Sequence, residues 1–358
     1  MQAVVLAGGE GTRLRPLTLA TPKQLLPVAE QPMIERVLGH LAGHGVDRAV
    51  LSLGYLPEAF VAAYPDGVVA GVRLSYAVEP EPLDTAGAIR FAAGQAQVDR
   101  TFVVVNGDVL TDLDLQALVA FHRRRRAEGT IALHPVADPS AFGVVATDDR
   151  GRVTAFVEKP SPEQAPTRLI NAGTYVLEPS VLDRIAGGRR VSIERETFPA
   201  MVEGGRLYAR EDGAYWLDAG TPATYLQAHL DLLEGRRPGS PVDGARRVAG
   251  GFWMLGRAHV AGKASSTCLV GDGAEVEAGA DVDRSVVGAG CVVEAGATVV
   301  RSVLLAGARV GAGSSVSGSV LGPRSIVGKG GDIRPTSVLG HGVVVEPGAV
   351  IDGRPVPA

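Results

Sequence analysis

From residue 270 to residue 350 an aliphatic side chain recurs on a fixed step. The positions are Val270, Val276 and Val282; Val287, Val293 and Val299; Leu304, Val310 and Val316; Leu321, Val327 and Ile333; Val338, Val344 and Val350. The steps are six, six and five, so a 17-residue period repeats five times with all fifteen positions filled. A six-residue rhythm with one inward aliphatic per short strand predicts a parallel β-helix of three strands per coil, each coil burying its face on the next. Small polar residues keep the same step at Ser285, Ser302, Ser319 and Thr336. Carried upstream, the frame puts His259 and Ser265 in the core, so the regular coils are expected to run from about 265 to 352.

Before residue 235 the pattern is different. Apolar runs such as Val4-Leu6, Ala49-Leu53, Phe102-Val105 and Ile131-His134 alternate with helical patterns such as Met33 to Leu41 and Leu113 to Arg126. That alternation predicts a mostly parallel sheet with helices on both faces, and such sheets bind ligands at the carboxyl ends of their strands. Gly235-Arg236-Arg237-Pro238-Gly239-Ser240-Pro241 has the composition of a linker. The expected organisation is a first domain over 1–235, a linker over 236–250 and a second domain over 251–358.

The first strand, Ala3 to Leu6, runs into Gly8, Gly9 and Gly11, followed by Thr12, Arg13 and Arg15, with Lys23 ten residues on. Glycines after a strand let backbone N–H groups approach a polyanion, and the cations that follow supply mobile positive charge. The segment reads as a triphosphate loop. It is not a Walker loop, because Gly11 is followed by Thr12-Arg13 instead of Lys and Ser or Thr. A dinucleotide fingerprint would want a glycine where Leu14 stands and an acid about twenty residues later.

The ordered run Leu6-Ala7-Gly8-Gly9-Glu10-Gly11-Thr12-Arg13-Leu14-Arg15-Pro16-Leu17-Thr18, then Pro22-Lys23-Gln24-Leu25-Leu26-Pro27-Val28, resembles the signature of the sugar-nucleotide pyrophosphorylases, the sugar-1-phosphate nucleotidyltransferases. One departure is Gln24, where that family usually has proline. The resemblance implies an α/β fold: a Rossmann-like mixed, mostly parallel nucleotidyltransferase sheet followed by a left-handed parallel β-helix of hexapeptide repeats. It further implies that Leu6, Ala7, Gly8, Gly9, Gly11, Thr12 and Arg13 bind the nucleotide, and that Arg13 and Lys23 are catalytic.

Six further motifs extend the resemblance. Asn106-Gly107-Asp108 follows an apolar strand, and Trp216-Leu217-Asp218-Ala219-Gly220-Thr221-Pro222 resembles the family's W-x-D-x-G-T-P. An acid after a strand is often a turn former or helix cap. The resemblance makes Asp108 and Asp218 metal ligands, and two carboxylates suit Mg²⁺. Glu158-Lys159-Pro160, Ile170-Asn171-Ala172-Gly173-Thr174-Tyr175 and the glycine strand at Gly143 resemble the sugar-phosphate side. There Glu158 and Asn171 would meet the sugar, and Lys159, as a third catalytic residue, the phosphate. Glu81-Pro82-Leu83-Asp84-Thr85-Ala86-Gly87 resembles the base-binding loop, with Glu81, Asp84, Thr85 and Gly87 as contacts. Asp84 replaces the family's glycine, and acids here (Glu79, Glu81, Asp84) can accept from the N1–H and amino group of guanine.

Together these motifs most resemble the family's branch that uses GTP and mannose 1-phosphate. The rivals are a glucose-1-phosphate thymidylyl- or uridylyltransferase and a sensing homologue that binds sugar nucleotides without turnover. Intact Arg13, Lys23, Asp108, Lys159 and Asp218 weigh against the sensor. A net charge of −4 gives no electrostatic case for nucleic acid or an anionic membrane. Cys268 and Cys291 are too few for a disulfide framework, and no apolar run reaches the ~20 residues of a membrane span. Met1 leads directly into a strand, with no basic leader, so a cytoplasmic protein is expected. Only four lysines occur in 358 residues, and two of them, Lys23 and Lys159, lie in these motifs. In the repeat region only His259 and His341 offer a general base. The β-helix is therefore expected to serve packing and homo-oligomerisation, not acyl transfer.

Overall fold

The computed structural model describes residues 1–237 and 239–357; of the linker sequence, Pro238 lies outside the described residues. The chain divides into two compact units, one formed by Met1–Glu10 with Ile34–Trp216 and the other by Gly11–Met33 with the chain from Leu217 onward.

The first unit is built on one ten-stranded sheet. Its elements in chain order are β1 (Gln2–Leu6), α1 (Met33–Gly43), β2 (Arg48–Leu53), β3 (Val68–Val69), β4 (Val72–Val78), α2 (Asp84–Gln95), β5 (Phe102–Asn106) and α3 (Leu115–Arg125). Then come β6 (Gly129–Pro135), β7 (Gly143–Thr147), β8 (Val153–Glu158), β9 (Leu169–Leu177) and β10 (Leu207–Glu211). The spatial order is β8-β7-β9-β5-β1-β2-β4-β3, with β6 on β9 and β10 on β6. β5, β1, β2 and β4 are parallel, as the alternating pattern predicts. β9 then inserts antiparallel against both β5 and β6, which makes the sheet mixed. α3 starts at Leu115 because the Asp114 side chain accepts from the Ala117 N–H and caps it.

Chain order reverses across β1, which has β2 on one side and β5 on the other. This is the switch point at which open α/β sheets leave a crevice beyond their strand ends. Both strands that flank the switch are buried: Val4, Val5, Val103 and Val104 are without solvent exposure.

In the second unit the chain beyond α4 (Pro222–Leu233) winds into three sheets of eight, six and six strands, parallel except where Arg246–Arg247 pairs antiparallel with Trp253–Met254, a parallel β-helix consistent with the left-handed form. The expected inward columns hold from Val270 to Ile333, all fully buried. Each fully buried aliphatic is worth about 1.5–3 kcal/mol relative to exposure, so the stacked columns are the main source of stability in this unit.

The last coil departs from the frame. Its inward residues are Leu339, Val345 and Ile351, while Val344 and Val350 are 62% and 48% exposed. Leu321 pairs with Leu339 and Ile333 with Ile351, an eighteen-residue step. The extra residue sits in the corner after Ile333, where Thr336 takes a left-handed φ of 66°. A slip of one residue exchanges the two faces of a strand. Here both faces are apolar (Val338-Leu339, Val344-Val345, Val350-Ile351), so the pattern alone does not reveal the slip. Ser337, not Thr336, consequently continues the serine column. A further, irregular coil precedes the regular stack: Trp253–Met254, His259–Val260 and Lys263–Ala264 pair with the strands of the next turn. Its steps to that turn are sixteen and eighteen residues, so Val260 and Ala264 occupy the inward places that a fixed frame assigns to His259 and Ser265.

The serine column is a hydrogen-bonded ladder. Ser302 Oγ donates to Val300 O at 2.7 Å and accepts the Ser319 N–H at 3.2 Å, while Ser302 N–H donates to Ser285 Oγ at 3.0 Å. Ser302→Ala leaves the buried Ser319 N–H without that acceptor and should cost about 1–3 kcal/mol. Urea unfolding of the variant measures it, and a loss inside the ~0.5 kcal/mol typical of neutral surface changes would show that the ladder contributes nothing.

Candidate active site

In the first unit, β1 ends where Ala7 N–H donates to Ser52 O of β2 and Gly107 N–H, just past β5, donates to Leu6 O. The glycine loop and Asp108 therefore leave the same edge of the sheet, side by side. A β-carbon on Gly54 would lie 2.9 Å from Gly8 O, and one on Gly8 would lie 3.1 Å from Glu79 Oε1. Gly8 is thus needed for packing. A β-carbon on Gly9 would meet nothing within 4 Å, so the space there is open to a ligand.

Glu79 organises the loop that follows. Ser52 Oγ donates to its Oε1 at 3.0 Å and Leu83 N–H to its Oε2 at 3.0 Å. Glu81 and Asp84 stay exposed. Asp84 has a φ of 59°, which explains its place in a motif that usually has glycine: the backbone is left-handed there, and aspartate tolerates that region better than most residues. Its carboxylate accepts from Thr85 N–H at 2.7 Å. Thr85 Oγ1 donates to Glu194 Oε2 at 2.7 Å and accepts from Ile193 N–H at 2.8 Å. A β-carbon on Gly87 would lie 2.9 Å from Leu83 Cβ and 3.2 Å from Arg189 O. Thr85 and Gly87 therefore bind the loop to the 189–194 segment.

On the other side of the sheet Gly143 lies opposite Glu158, and a β-carbon there would be 2.9 Å from Glu158 Oε2. Lys159 Nζ is 3.8 Å from Glu158 Oε1; the lysine side chain is 59% exposed and the glutamate 20%. Asn171 Nδ2 donates to the Tyr175 hydroxyl at 2.9 Å, and its Oδ1 accepts from Gly173 N–H at 3.0 Å. Trp216 Nε1 donates to Ala172 O at 2.9 Å, and the ring stacks on His134 with centroids 5.3 Å apart.

Sequence reasoning missed Glu194. It lies in a π-helical turn, Ile193–Thr197, capped by Ser192, whose Oγ also donates to Glu194 Oε2. Only that cap was legible in Ser192-Ile193-Glu194-Arg195. Burial raises the Glu158 carboxyl above its usual range, and the Glu194 charge raises it further, with Lys159 and Arg195 pulling the other way. The fold thus favours the protonated carboxyl. That share of stability is full below the unfolded-state value and is lost as pH rises through the folded one.

In the second unit Gly11 has a φ of 61°, and a β-carbon there would lie 3.0 Å from Thr18 Cγ2 and 3.1 Å from Lys23 Cβ. Thr18 Oγ1 donates to Gly11 O at 2.8 Å. Lys23 opens a short 3₁₀ turn, Lys23–Leu25, and is 8% exposed, with Gln24 buried beside it. Thr12 and Arg13 are exposed. A β-carbon on the buried Gly220 would lie 2.8 Å from Arg13 Nη2 and 2.7 Å from Asp218 Oδ1. The guanidinium and the carboxylate therefore share the space that glycine leaves. The rest of that motif starts α4: Thr221 and Thr224 form a reciprocal capping box and Pro222 takes the first turn.

The family model described as nucleotidyl transferase matches residues 2–235, and a second, described as the GMPPB C-terminal domain, matches 264–357. The chain belongs to the nucleotidyl transferase family. It is 41% identical over 302 residues to mannose-1-phosphate guanylyltransferase of Mycobacterium tuberculosis, which covers 79% of this chain and 83% of that protein. It is also 41% identical over 245 residues to mannose-1-phosphate guanyltransferase of Schizosaccharomyces pombe, covering 67% of each. Among solved structures, HddC from Yersinia pseudotuberculosis complexed with GMP-PN superposes with a TM-score of 0.55 at 28% identity, covering 64% of this chain and 97% of that one.

The geometry around Glu158 yields a direct test. Glu194→Gln removes the neighbouring charge that raises Glu158, so the Glu158 carboxyl should titrate at lower pH. Carbon-13 NMR of the carboxyl reads this, and an unchanged or higher midpoint would show that Glu194 does not act on Glu158.

Proposed function

We propose that this enzyme transfers a guanylyl group from GTP to mannose 1-phosphate, giving GDP-mannose and releasing pyrophosphate. The observation that carries the reading is the extended identity to mannose-1-phosphate guanylyltransferases, supported by the order of the motifs along the chain. A sugar 1-phosphate oxygen attacks the α-phosphorus in line as pyrophosphate leaves. The nucleophile is already an anion, so positioning and charge neutralisation carry the catalysis and no general base is needed.

Within that reading the glycine loop from Leu6 to Thr12 holds the triphosphate. Arg13 neutralises the leaving phosphates, Lys23 meets the α-phosphate and Lys159 the sugar phosphate, beside Glu158 and Asn171. Glu79 is already engaged by Ser52 and Leu83, so reading the guanine edge falls to Glu81 and Asp84. Among the described residues no three Asp, Glu, His or Cys side chains form a metal cage. Mg²⁺ does not need one, since it keeps waters and takes one or two carboxylates with substrate phosphates. Asp108 and Asp218 are the hard oxygen donors assigned to it, and Mg²⁺ bound there would offset phosphate charge. A cytoplasmic homo-oligomer completes the proposal. Among the described residues no helix is long and apolar enough to cross a membrane.

Purified protein assayed for pyrophosphate release with GTP, dTTP and UTP against mannose and glucose 1-phosphates tests this. GTP with mannose 1-phosphate should be fastest. Faster turnover with dTTP or UTP and glucose 1-phosphate would establish the rival transferase, and binding without turnover the sensor. Arg13→Ala should cost on the order of 10³-fold in rate; a loss below about tenfold would remove Arg13 from that role. Asp84→Gly should erode the ranking of GTP over the other triphosphates, and an unchanged ranking would show that Asp84 does not read the base.

A further inference from the structure

Just beyond Lys23 the chain makes a two-residue hairpin, with Val28 paired to Gln31 and Pro27 to Pro32. Its two corner residues, Ala29 and Glu30, have φ values of 47° and 69°. A hairpin with both corners left-handed favours Asn-Gly or Gly-Gly, because a β-carbon is disfavoured there. Ala-Glu is a poor choice for the turn itself, so what these residues contact has to hold it. Ala29 N–H donates to His229 Nδ1 at 3.1 Å, and the Tyr225 hydroxyl donates to Pro27 O, both from α4.

The Glu30 carboxylate reaches the β-helix. Its Oε2 accepts the Ala289 N–H at 2.9 Å. A β-carbon on Gly271 would lie 3.0 Å from Oε2, and one on Gly288 would lie 2.9 Å from Oε1. Gly271 and Gly288 occupy the same place in successive coils, where the next coil has the buried Leu305. The carboxylate is therefore seated in a notch cut by two stacked glycines. Burial raises its pKa and the Ala289 N–H opposes the rise, as expected of a partly buried acid that accepts from a backbone donor.

We propose that Glu30 is a positioning residue for Lys23: the hairpin it closes is clamped to the β-helix at Gly271, Gly288 and Ala289, and the clamp holds the lysine segment in its working geometry. The kinetic part rests on the reading of Lys23 given above. The β-helix then acts in catalysis as a template for the 22–33 segment.

The two ends of the contact can be cut separately. Glu30→Ala removes the acceptor. Ala289→Pro removes the donor at a position where proline fits: the Gly288–Cys291 turn closes with Cys291 N–H on Gly288 O, and Gly290 has a φ of 63°. Pro323 already fills that corner in the equivalent turn two coils on, and Pro347 does so in the Glu346–Ala349 turn. Each variant should lower kcat by about 10- to 100-fold with KM little changed, the scale expected when a catalytic group is displaced by an ångström or less. Glu30→Gln, which keeps an acceptor oxygen, should recover much of the loss. In the Glu30→Ala background the proline should cost nothing further, as the two act through one contact.

Amide hydrogen exchange decides the clamp independently of turnover. The amides of Leu25, Leu26 and Met33, bonded to Pro22 O, Lys23 O and Leu26 O, should exchange about tenfold faster in both variants. The β-helix amides of Val293 and Val310 should not change. Unaltered exchange and kcat in both variants overturns the proposal, as does loosening spread equally through the β-helix. Lys23→Ala assayed alongside separates the two readings. A wild-type rate there overturns the assignment of Lys23 and the kinetic half of the proposal, while the exchange data still decide the clamp.

Discussion

Everything in the first unit depends on β1 being hydrogen-bonded on both sides by parallel strands. Parallel pairing with β2 and β5 points three chain ends the same way and forces their loops onto one edge. The order of strands reverses there, which in open α/β sheets is the place where ligands bind beyond the strand ends. The bond from Gly107 N–H to Leu6 O closes this arrangement and sets Asp108 next to the glycine loop. The buried valines of β1 and β5 make the pairing strong enough to fix loops that contain almost no apolar residues of their own.

The glycines of the motifs separate into two kinds once contacts are counted by distance. Gly8, Gly54, Gly87, Gly143 and Gly220 are needed because a β-carbon would strike a backbone or side-chain atom at roughly 3 Å. Gly9 is different, since nothing of the protein fills the space beside it. A phosphate-binding loop needs both kinds. Close-packed glycines lock the backbone into a rigid shape, and the open one leaves its face accessible. Rigidity matters because dipoles that are already oriented need no reorganisation when charge develops on the substrate.

Much of this was legible in the sequence, for identifiable reasons. Element type followed from periodicity, and the ordered glycine, Asn-Gly-Asp, Glu-Lys-Pro and Trp-Leu-Asp runs marked the candidate site. The failures have physical causes as well. The slip in the last coil is silent because Val338-Leu339 and its successors are apolar on both faces. The first coil escapes notice because its steps are sixteen and eighteen residues. Asp84 looks like an intrusion in the sequence, but the backbone there asks only for a left-handed conformation. Glu194 was invisible because its importance lies in what the fold brings to it: Thr85 by a hydrogen bond and Glu158 by charge, from two separate segments.

The histidines fit a reaction that needs no proton shuttle. Among the described residues the two buried ones, His122 and His229, serve as hydrogen-bonding wedges. His122 joins Thr130 Oγ1 at 2.8 Å and Glu178 Oε1 at 3.0 Å, and burial lowers its pKa despite that glutamate. His229 accepts the Ala29 N–H through Nδ1 at 3.1 Å. Both rings are taken up by hydrogen bonds within the fold. A transfer whose nucleophile arrives as an anion instead depends on fixed positive charge, and in the function proposed above that demand is assigned to Arg13, Lys23 and Lys159. Lysine is scarce in this chain, so the two lysines within the motifs stand out from an arginine-rich background. Their settings differ: Lys23 is buried on a short turn held by backbone bonds, and Lys159 is exposed on a left-handed residue beside Glu158. The buried lysine is the one whose aim the packing around it can fix, which is why the contacts of the neighbouring hairpin matter to the chemistry.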